Sequence, residues 1–515
     1  MRIVTAAEMY KMDTYTIEKI GIREDTLMES AGQAVANLMM KKLTPSQNIM
    51  IVAGAGNNGG DGFVIARILK SYGYRVDLWI IPPPEKIKGA AKHALDVYFR
   101  SGYDVEYFTK NEEKFFKVMS TYEVIIDCLL GIGVKGDLRP PYNLIVQEVN
   151  GLKSVQVISV DVPSGVATDG GEVIEAIKAD ATITIQNPKV GAFTYPAAYY
   201  YGAVSVADIG IPPLVVDECT ERKELWTEQH VLKHLPTRLP NVHKGTNGKG
   251  LLIGGSRQMT GAVMLSAKAA LRSGAGLLTV AVPDVIHPIV ATHCLEAMYL
   301  PCATEKGHFQ GELAVDFGAF DAVAVGPGMG RTIGGQKVVG EVLKHEAPVV
   351  LDADALFHVK DLLPLLKERK DPTVLTPHTG EMARLCGMPI LEVEQKRFEL
   401  SKQFAEEHGV YLVLKGPFTI VTTPRGEQFV NPTGNAGLAK GGSGDVLTGM
   451  VLAFIMQKAS IQAAISNAVF VHGKAADLLL EGQHTLTDIM ATDVIEKIPN
   501  ALKLYQLEYG ERCSF

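Results

Sequence analysis

Short apolar runs alternate with longer stretches of helical spacing along the whole chain. In the first half, "NIMIVAG" (48–54) reads as a buried strand and "FVIARILKSYG" (63–73) as a helix ending in glycine. "RVDLWII" (75–81), "YEVIIDCLLG" (122–131) and "VQVISVDVPSG" (155–165) read as further strands, the last two with glycine-containing exits. Strands separated by helical runs of this length predict a parallel sheet with helices on both faces. Ligands bind such sheets at the carboxyl ends of the strands, which is where the glycines and aspartates of this chain collect.

After "IGIPPLVVD" (209–217) the pattern breaks. The next twenty residues are strongly charged, show no strand character and predict a linker. From about residue 240 the alternation restarts. "GLLIGGS" (250–256), "AVAVGPGMG" (322–330), "PVVLDAD" (348–354), "TVLTPHTGE" (373–381) and "YLVLKG" (411–416) are strand-like runs with polar or glycine-rich exits, and "GDVLTGMVLAFIMQ" (444–457) is a buried helix. The expected organisation is an α/β chain of two domains. A Rossmann-like doubly wound sheet occupies 1–215, a linker 216–234, and a second α/β domain 235–503. The halves share texture but no aligned repeat.

Composition narrows the classes. The chain has 515 residues, 47% hydrophobic and 21% charged, which is enough apolar material for two large cores. The net charge is −7, with no basic patch to bind nucleic acid and no polybasic run for an anionic membrane. Six scattered cysteines (Cys128, Cys219, Cys294, Cys302, Cys386 and Cys513) form no C-x-x-C pair. They read as reduced thiols and place the protein in the cytoplasm. The start is too polar for a signal peptide, and the most apolar stretch is broken by Lys268, Arg272 and several glycines. His230 and His234 have i, i+4 spacing but no third ligand nearby, so they read as a solvated helix face.

Three exits in the first half carry polar clusters. In "GAGNNGGDG" (54–62), Asn57, Asn58, Gly59, Gly60 and Asp61 stand between a strand and a helix. Glycines let a backbone approach a ligand, and helix amides favour anions; alternatively this is a tight turn with Asp61 as N-cap. Asp127 and Asp161 end two strands, and Ser164 and Asn58 add neutral oxygens, a set that suits a hard cation. "GNNGGDG", "DCLLGIGVKG" and "DVPSG", preceded by "LMESAG", together resemble the NAD(P)H-hydrate epimerases. Ser30 replaces the asparagine usual in that first motif. The resemblance implies potassium held by Asn58, Asp127 and Ser164. It implies a hydrated dinucleotide cradled by residues 57–61 and by Gly131, Ile132, Gly133, Val134, Lys135, Gly136 and Asp137. Asp161 would contact the substrate and serve proton transfer at C6 of the nicotinamide ring.

The second half has its own cluster. Gly441, Gly442 and Gly444 precede a helix, so their amides and the helix dipole can hold an anion. Asp445 beside such a site lowers anion affinity, which calls for a compensating role as general base, unless it is an ordinary first-turn acid. Asp352 and Asp354 are placed near a nucleotide's Mg²⁺ or as loop caps. His378 and Glu381 leave a strand and start a helix. The ordered motifs "HKGTNGKG", "GGSRQMTGAV", "GPGMG", "LDADAL", "TPHTGE", "LKGPFTIV" and "NAGLAKGGSGDVLTG" resemble the nucleotide-dependent NAD(P)H-hydrate dehydratases, which have a ribokinase-like fold. That resemblance implies ADP, or ATP, against Lys415, Gly416, Pro417, Phe418 and Thr419. It extends the nucleotide site over Asn435, Ala436, Gly437, Leu438, Ala439, Lys440, Gly441, Gly442, Ser443 and Gly444. The hydrate would lie near Ala262, Gly328, His378, Thr379, Gly380, Glu381 and Asp445. The implied partners are hydrated NADH or NADPH and the nucleotide, with no nucleic acid and no membrane, in a homo-oligomer. A small-molecule kinase of ribokinase type with an attached dinucleotide-binding domain, and a non-catalytic nucleotide sensor, are the competing readings.

Overall fold

The computed structural model describes residues 1–133, 136–236, 243–457 and 460–512. The chain forms two compact units, Met1–Arg222 and a second that begins at Lys223. No helix among the described residues is long and apolar enough to cross a membrane. The five cysteines among them are free.

The first unit is a sheet of seven parallel strands: β1 (Asn48–Ala53), β2 (Arg75–Ile80), β3 (Glu106–Tyr107), β4 (Val124–Cys128), β5 (Gln156–Val160), β6 (Ala181–Ile185) and β7 (Ala203–Ala207). Their order is β3-β2-β1-β4-β5-β6-β7. The chain winds outward to β3 and returns to β4 beside β1, so the strand order reverses between β1 and β4 and opens a crevice at their carboxyl ends. β1 and β4 are buried on both faces, which is why each is a continuous apolar run rather than an alternating one.

The helix after β1 begins earlier than the sequence suggests. It spans Asn57–Ser71 with Gly56 as N-cap, so Asp61 lies inside the helix, buried, and is not its cap. Glycine costs a helix about 1 kcal/mol relative to alanine, and "NNGGDG" therefore reads as loop. Close packing outweighs that cost. A Cβ on Gly59 would lie 2.1 Å from the Gly54 carbonyl oxygen, and one on Gly60 would lie 2.5 Å from Met28 Sδ. The motif "LMESAG" sits on the helix Glu24–Met40, where a Cβ on Gly32 would meet Val64 at 2.4 Å. These glycines bring two helices and the β1 exit into direct contact.

The second unit holds β8 (Lys223–Leu225), β9 (Lys249–Ile253), β10 (Leu277–Pro283), β11 (Met298–Cys302), a two-stranded ribbon of β12 (Thr304–Glu305) and β13 (His308–Phe309), β14 (Ala322–Val325), β15 (Val349–Leu351), β16 (Thr373–Leu375), β17 (Tyr411–Leu414), β18 (Ile420–Thr422) and β19 (Gln428–Val430). Its main sheet runs β11-β10-β9-β14-β15-β16-β17-β18-β19-β8. The strands are parallel from β11 to β17, and β18 is antiparallel to both neighbours. The helix Ser443–Ile455 is apolar on all sides and buried under this sheet, with Gly449 against the Ser266 carbonyl.

Residues 216–234, expected as a featureless linker, are ordered. They include the end of the helix Pro213–Cys219, β8 and the helix Glu228–His234. β8 pairs with β19 at the sheet edge, and its charged composition hides it because an edge strand needs only one partner. Trp226 follows, buried, with its indole N–H 3.0 Å from Asn467 Oδ1. His230 and His234 stack on that indole at 4.7 and 5.8 Å. They are half-buried packing groups rather than a solvated face, because the helix lies against Trp226.

Candidate functional site

In the first unit the exits of β1, β4 and β5 converge. Asp127, buried near the end of β4, accepts four hydrogen bonds. Ser159 Oγ (2.8 Å) and the Ser164 amide (2.9 Å) reach one oxygen, and Ser164 Oγ (2.5 Å) and the Leu129 amide (3.2 Å) reach the other. Burial raises its pKa, and these bonds oppose the rise. The Asn58 amide nitrogen donates to the Leu130 (2.7 Å) and Val160 (3.1 Å) carbonyls, which orients the group. Its Oδ1 is buried with no partner. An orphaned amide oxygen is costly in the interior, and beside a carboxylate and a serine hydroxyl it fits a hard cation held by oxygens alone. No cluster of three His, Cys, Asp or Glu that could hold a metal exists among the described residues.

A cavity of about 520 Å³ opens beside this cluster, which meets it at Asn58, Leu129 and Leu130. Of the expected cradle, Asn57, Asn58, Asp61, Gly131, Ile132, Gly133 and Asp161 line it. Gly59 and Gly60 instead pack the helix, Gly136 and Asp137 are exposed away from the lining, and Val134 and Lys135 lie outside the described residues. Asp161 follows β5 with φ +68°, a left-handed conformation rare for a non-glycine residue. Its carboxylate accepts from the Ile185 amide (2.9 Å), from Thr184 Oγ1 (3.2 Å) and from the ammonium of fully buried Lys189. Lys189 also donates to the Ile185 carbonyl (2.8 Å). Sequence reasoning missed this lysine, because in "QNPKVG" it looks like a loop residue. It missed Asp13 as well, whose carboxyl enters the same cavity and is pushed up to about 6 by burial and then by Asp161. Burial, Asp161 and Asp13 push Asp61 well above the usual carboxylate range.

In the second unit the exits of β14, β15, β16 and β17 meet the helix Ser443–Ile455. Gly442, at φ +92°, turns the chain into that helix, and no side chain caps it. The Ser443 amide donates to the Lys440 carbonyl at 3.4 Å, and the Gly444 and Asp445 amides of the same first turn are left for a ligand or water. Asp445 sits in this first turn, with its carbonyl accepting from Ser266 Oγ at 2.7 Å. Burial and the neighbouring Asp352 push its carboxyl up to about 7, with Lys415 opposing. Asp352 is buried and accepts from Lys415 Nζ (2.9 Å), Thr376 Oγ1 (2.7 Å) and Thr448 Oγ1 (2.6 Å). Burial would raise its pKa; Lys415 and the hydroxyls outweigh burial and lower it. Lys415 also stands 3.9 Å from Glu381, and a Cβ on Gly444 would lie 3.3 Å from its ammonium. Lys415, Glu381, Gly444 and Asp445 are thus one charged cluster.

The remaining expected residues divide. A Cβ on Gly328 would lie 3.0 Å from Ala262, so those two share one surface. His378 N-caps the helix Thr379–Cys386, accepting from the Gly380 amide at 3.0 Å. Asp354 accepts from the Gly330 amide (2.9 Å) and Arg331 Nε (3.0 Å), so it braces "GPGMG". Asp352, like Asp354, accepts hydrogen bonds from groups at these strand exits. Buried Arg397, which looks solvated in the sequence, donates to the carbonyls of Leu414 (2.9 Å), Lys415 (3.1 Å) and Phe418 (3.4 Å), fixing the loop through Gly416 and Pro417 to Thr419. Asn435 caps the turn Ala436–Leu438 and donates to Asp477 at 3.0 Å, and Lys440 donates to the Thr487 carbonyl at 2.7 Å, so the turn through Ala439 is anchored on both sides.

Comparisons with known proteins agree in both halves. Residues 250–500 match the family described as NAD(P)H-hydrate dehydratase, and residues 24–191 match the YjeF-related protein N-terminus. The chain is 35% identical over 514 residues to the bifunctional NAD(P)H-hydrate repair enzyme Nnr of Thermofilum pendens, covering 98% of this chain and 97% of that one. It is 35% identical over 477 residues to the enzyme of that name from Coxiella burnetii, covering 92% and 94%. The structure of an ADP/ATP-dependent NAD(P)H-hydrate dehydratase from Bacillus subtilis, co-crystallised with ATP and Mg²⁺, superposes with a TM-score of 0.50 at 35% identity, covering 56% of this chain and all of that one.

Proposed function

This chain belongs to the bifunctional NAD(P)H-hydrate repair enzymes, and from that premise we propose how its two pockets divide the work. The enzyme interconverts the R and S hydrates of NADH and NADPH and dehydrates the S form at the expense of ADP. The N-terminal cavity is the epimerase site. Inverting C6 requires a planar state: the C6–O bond breaks, the N1 lone pair forms C6=N1, and water returns to the other face. Asp161, held by Lys189, handles the proton of that oxygen. The Asn58, Asp127 and Ser164 oxygens would hold potassium, which when bound adds a fixed positive charge and stiffens the β4 exit.

The C-terminal cluster is the dehydratase site. Hydroxide is a poor leaving group, so the C6 hydroxyl is first phosphorylated. Asp445 takes the hydroxyl proton, the oxygen attacks the terminal phosphorus of ADP, and AMP departs. The amides of Gly441, Gly442 and Gly444, with Lys415, face the charge that develops on the phosphoryl oxygens. The N1 lone pair then expels phosphate, and loss of a C5 proton gives NAD(P)H. The observation that carries this reading is Asp445 in the first turn of an uncapped helix, with a carboxyl near pKa 7 in reach of Lys415. A base is most effective when its pKa lies near the working pH. Scattered thiols support a reducing, cytoplasmic setting. Asp445→Asn is expected to abolish hydrate-dependent NADH formation while epimer exchange continues. A variant that dehydrates at near wild-type rate removes Asp445 as the base.

A further inference from the structure

The carboxylates of the N-terminal cavity are not equivalent. Asp161 is tied down by an amide, a hydroxyl and an ammonium. Asp13 and Asp61 have no side-chain hydrogen-bond partner among the described residues, although both line the cavity. Asp13 is also rigidly placed. Its helix, Ala6–Tyr15, starts with a Thr5/Glu8 capping box, and the Ala6 amide donates to Asp169 at 2.7 Å. Val4 exchanges backbone hydrogen bonds with Pro188 (2.9 Å) and Val190 (3.1 Å), on either side of Lys189. The segment leading into the Asp13 helix is thereby fixed to the segment that carries the counter-ion of Asp161. The two carboxylates reach one cavity from independent elements.

We propose that Asp13 is a second catalytic residue of the epimerase pocket, exchanging a proton with the C6 oxygen on the ring face turned away from Asp161. This rests on the reading of that pocket given above. In one direction Asp13 gives its proton to the C6 hydroxyl; the C6–O bond breaks with its electrons leaving in water, and N1 forms C6=N1. A water on the other face then attacks C6 and gives a proton to Asp161. The reverse direction starts with the proton on Asp161. Both directions therefore need one proton shared by the pair. The groups that face Asp13 are Asp161, Lys189, Glu24 and Asp61, and burial with the acidic neighbours lets it hold a proton up to about pH 6. Burial, then Asp161 and Asp13, push the carboxyl of Asp61 up as well.

The test follows exchange from the S hydrate of NADH by chromatography, without nucleotide, using full-length wild type, Asp13→Asn, Asp13→Glu and Asp161→Asn between pH 5 and 9. Wild-type kcat/KM should fall about tenfold per pH unit above about 6. Asp13→Asn should exchange at least about 100-fold more slowly, the low end for acid–base catalysis, with KM little changed and the alkaline fall gone. Asp13→Glu should recover part of the rate. A rate for Asp13→Asn within threefold of wild type overturns the proposal, and so does a slow variant that keeps the alkaline fall. If Asp13→Asn does not fold, the Asp13→Glu variant and the wild-type profile decide, and a flat wild-type profile above pH 6 also overturns it. Equal rates for wild type and Asp161→Asn would bring down the pocket assignment itself, a separate failure visible in that arm.

Discussion

Asp445→Asn should cost the enzyme its dehydratase activity and make the C-terminal unit more stable. The folded carboxyl ionises near pH 7 against 3.8 as the ordinary value, a gap of about three units. At about 1.4 kcal/mol per unit, holding Asp445 ionised in the fold costs at most about 4 kcal/mol, and water entering the site reduces this. The sign follows from proton binding. Below about pH 4 both folded and unfolded chains are protonated there, and no penalty exists. As pH rises from about 4 to 7 only the unfolded chain ionises, so folding stability is lost across that window, and it is level above it. Asparagine removes the ionisation. The difference between variant and wild type should grow from near zero at pH 4 to about 2–4 kcal/mol at pH 8. Trp226, buried in the second unit, reports it by fluorescence during urea unfolding in a Trp79→Phe background, since the chain has only two tryptophans. A difference independent of pH, or a variant less stable at pH 8, refutes the account of Asp445 as a carboxylate held against its solvation.

Other outcomes follow from the same geometry. Asp161→Asn should stop epimer exchange and leave dehydration of the S hydrate intact; loss of both activities would mean that the sites are not independent. Lys415→Met leaves Asp352 buried with only its two threonine hydroxyls, and breaking such a pair costs about 3–5 kcal/mol, readable in the same urea assay. Gly441→Ala meets no atom within 4 Å, so the melting temperature should hold while the KM for ADP rises about tenfold; an unchanged KM moves the phosphates elsewhere. Gly59→Ala, whose Cβ would lie 2.1 Å from a backbone oxygen, should instead destabilise the first unit by more than about 3 kcal/mol. Replacing potassium with choline should slow exchange and leave dehydration unchanged.

The strand exits were legible because local signals coincide there. An apolar run ending in glycine and aspartate marks a strand, its carboxyl end and a polar group in one stretch, as at "VIIDC" and "VISVD". Residues whose role depends on distant partners were not legible. Lys189 is buried because the β5 and β6 exits close over it, and nothing in "NPKVG" shows that. Arg397 lies in the charged run "EQKRFELSK" and is buried because three carbonyls of the 414–418 turn surround it. Asp13 sits some 150 residues from Asp161 in the sequence, and only the fold brings both to one cavity. The start of the helix at Asn57 was hidden by glycines that disfavour a helix in isolation and permit this one by contact. β8 was hidden by its charge, since an edge strand exposes one side to water.

The most direct measurement incubates the full-length protein with an equal mixture of R and S NADH hydrates, with and without ADP, following the reduced-nicotinamide absorbance and free phosphate together. Both epimers should become NADH only when ADP is present, with one phosphate released per NADH and AMP left behind. NADH formation that halts at the S share, or nucleotide consumption that yields a phosphorylated hydrate and no free phosphate, would contradict it.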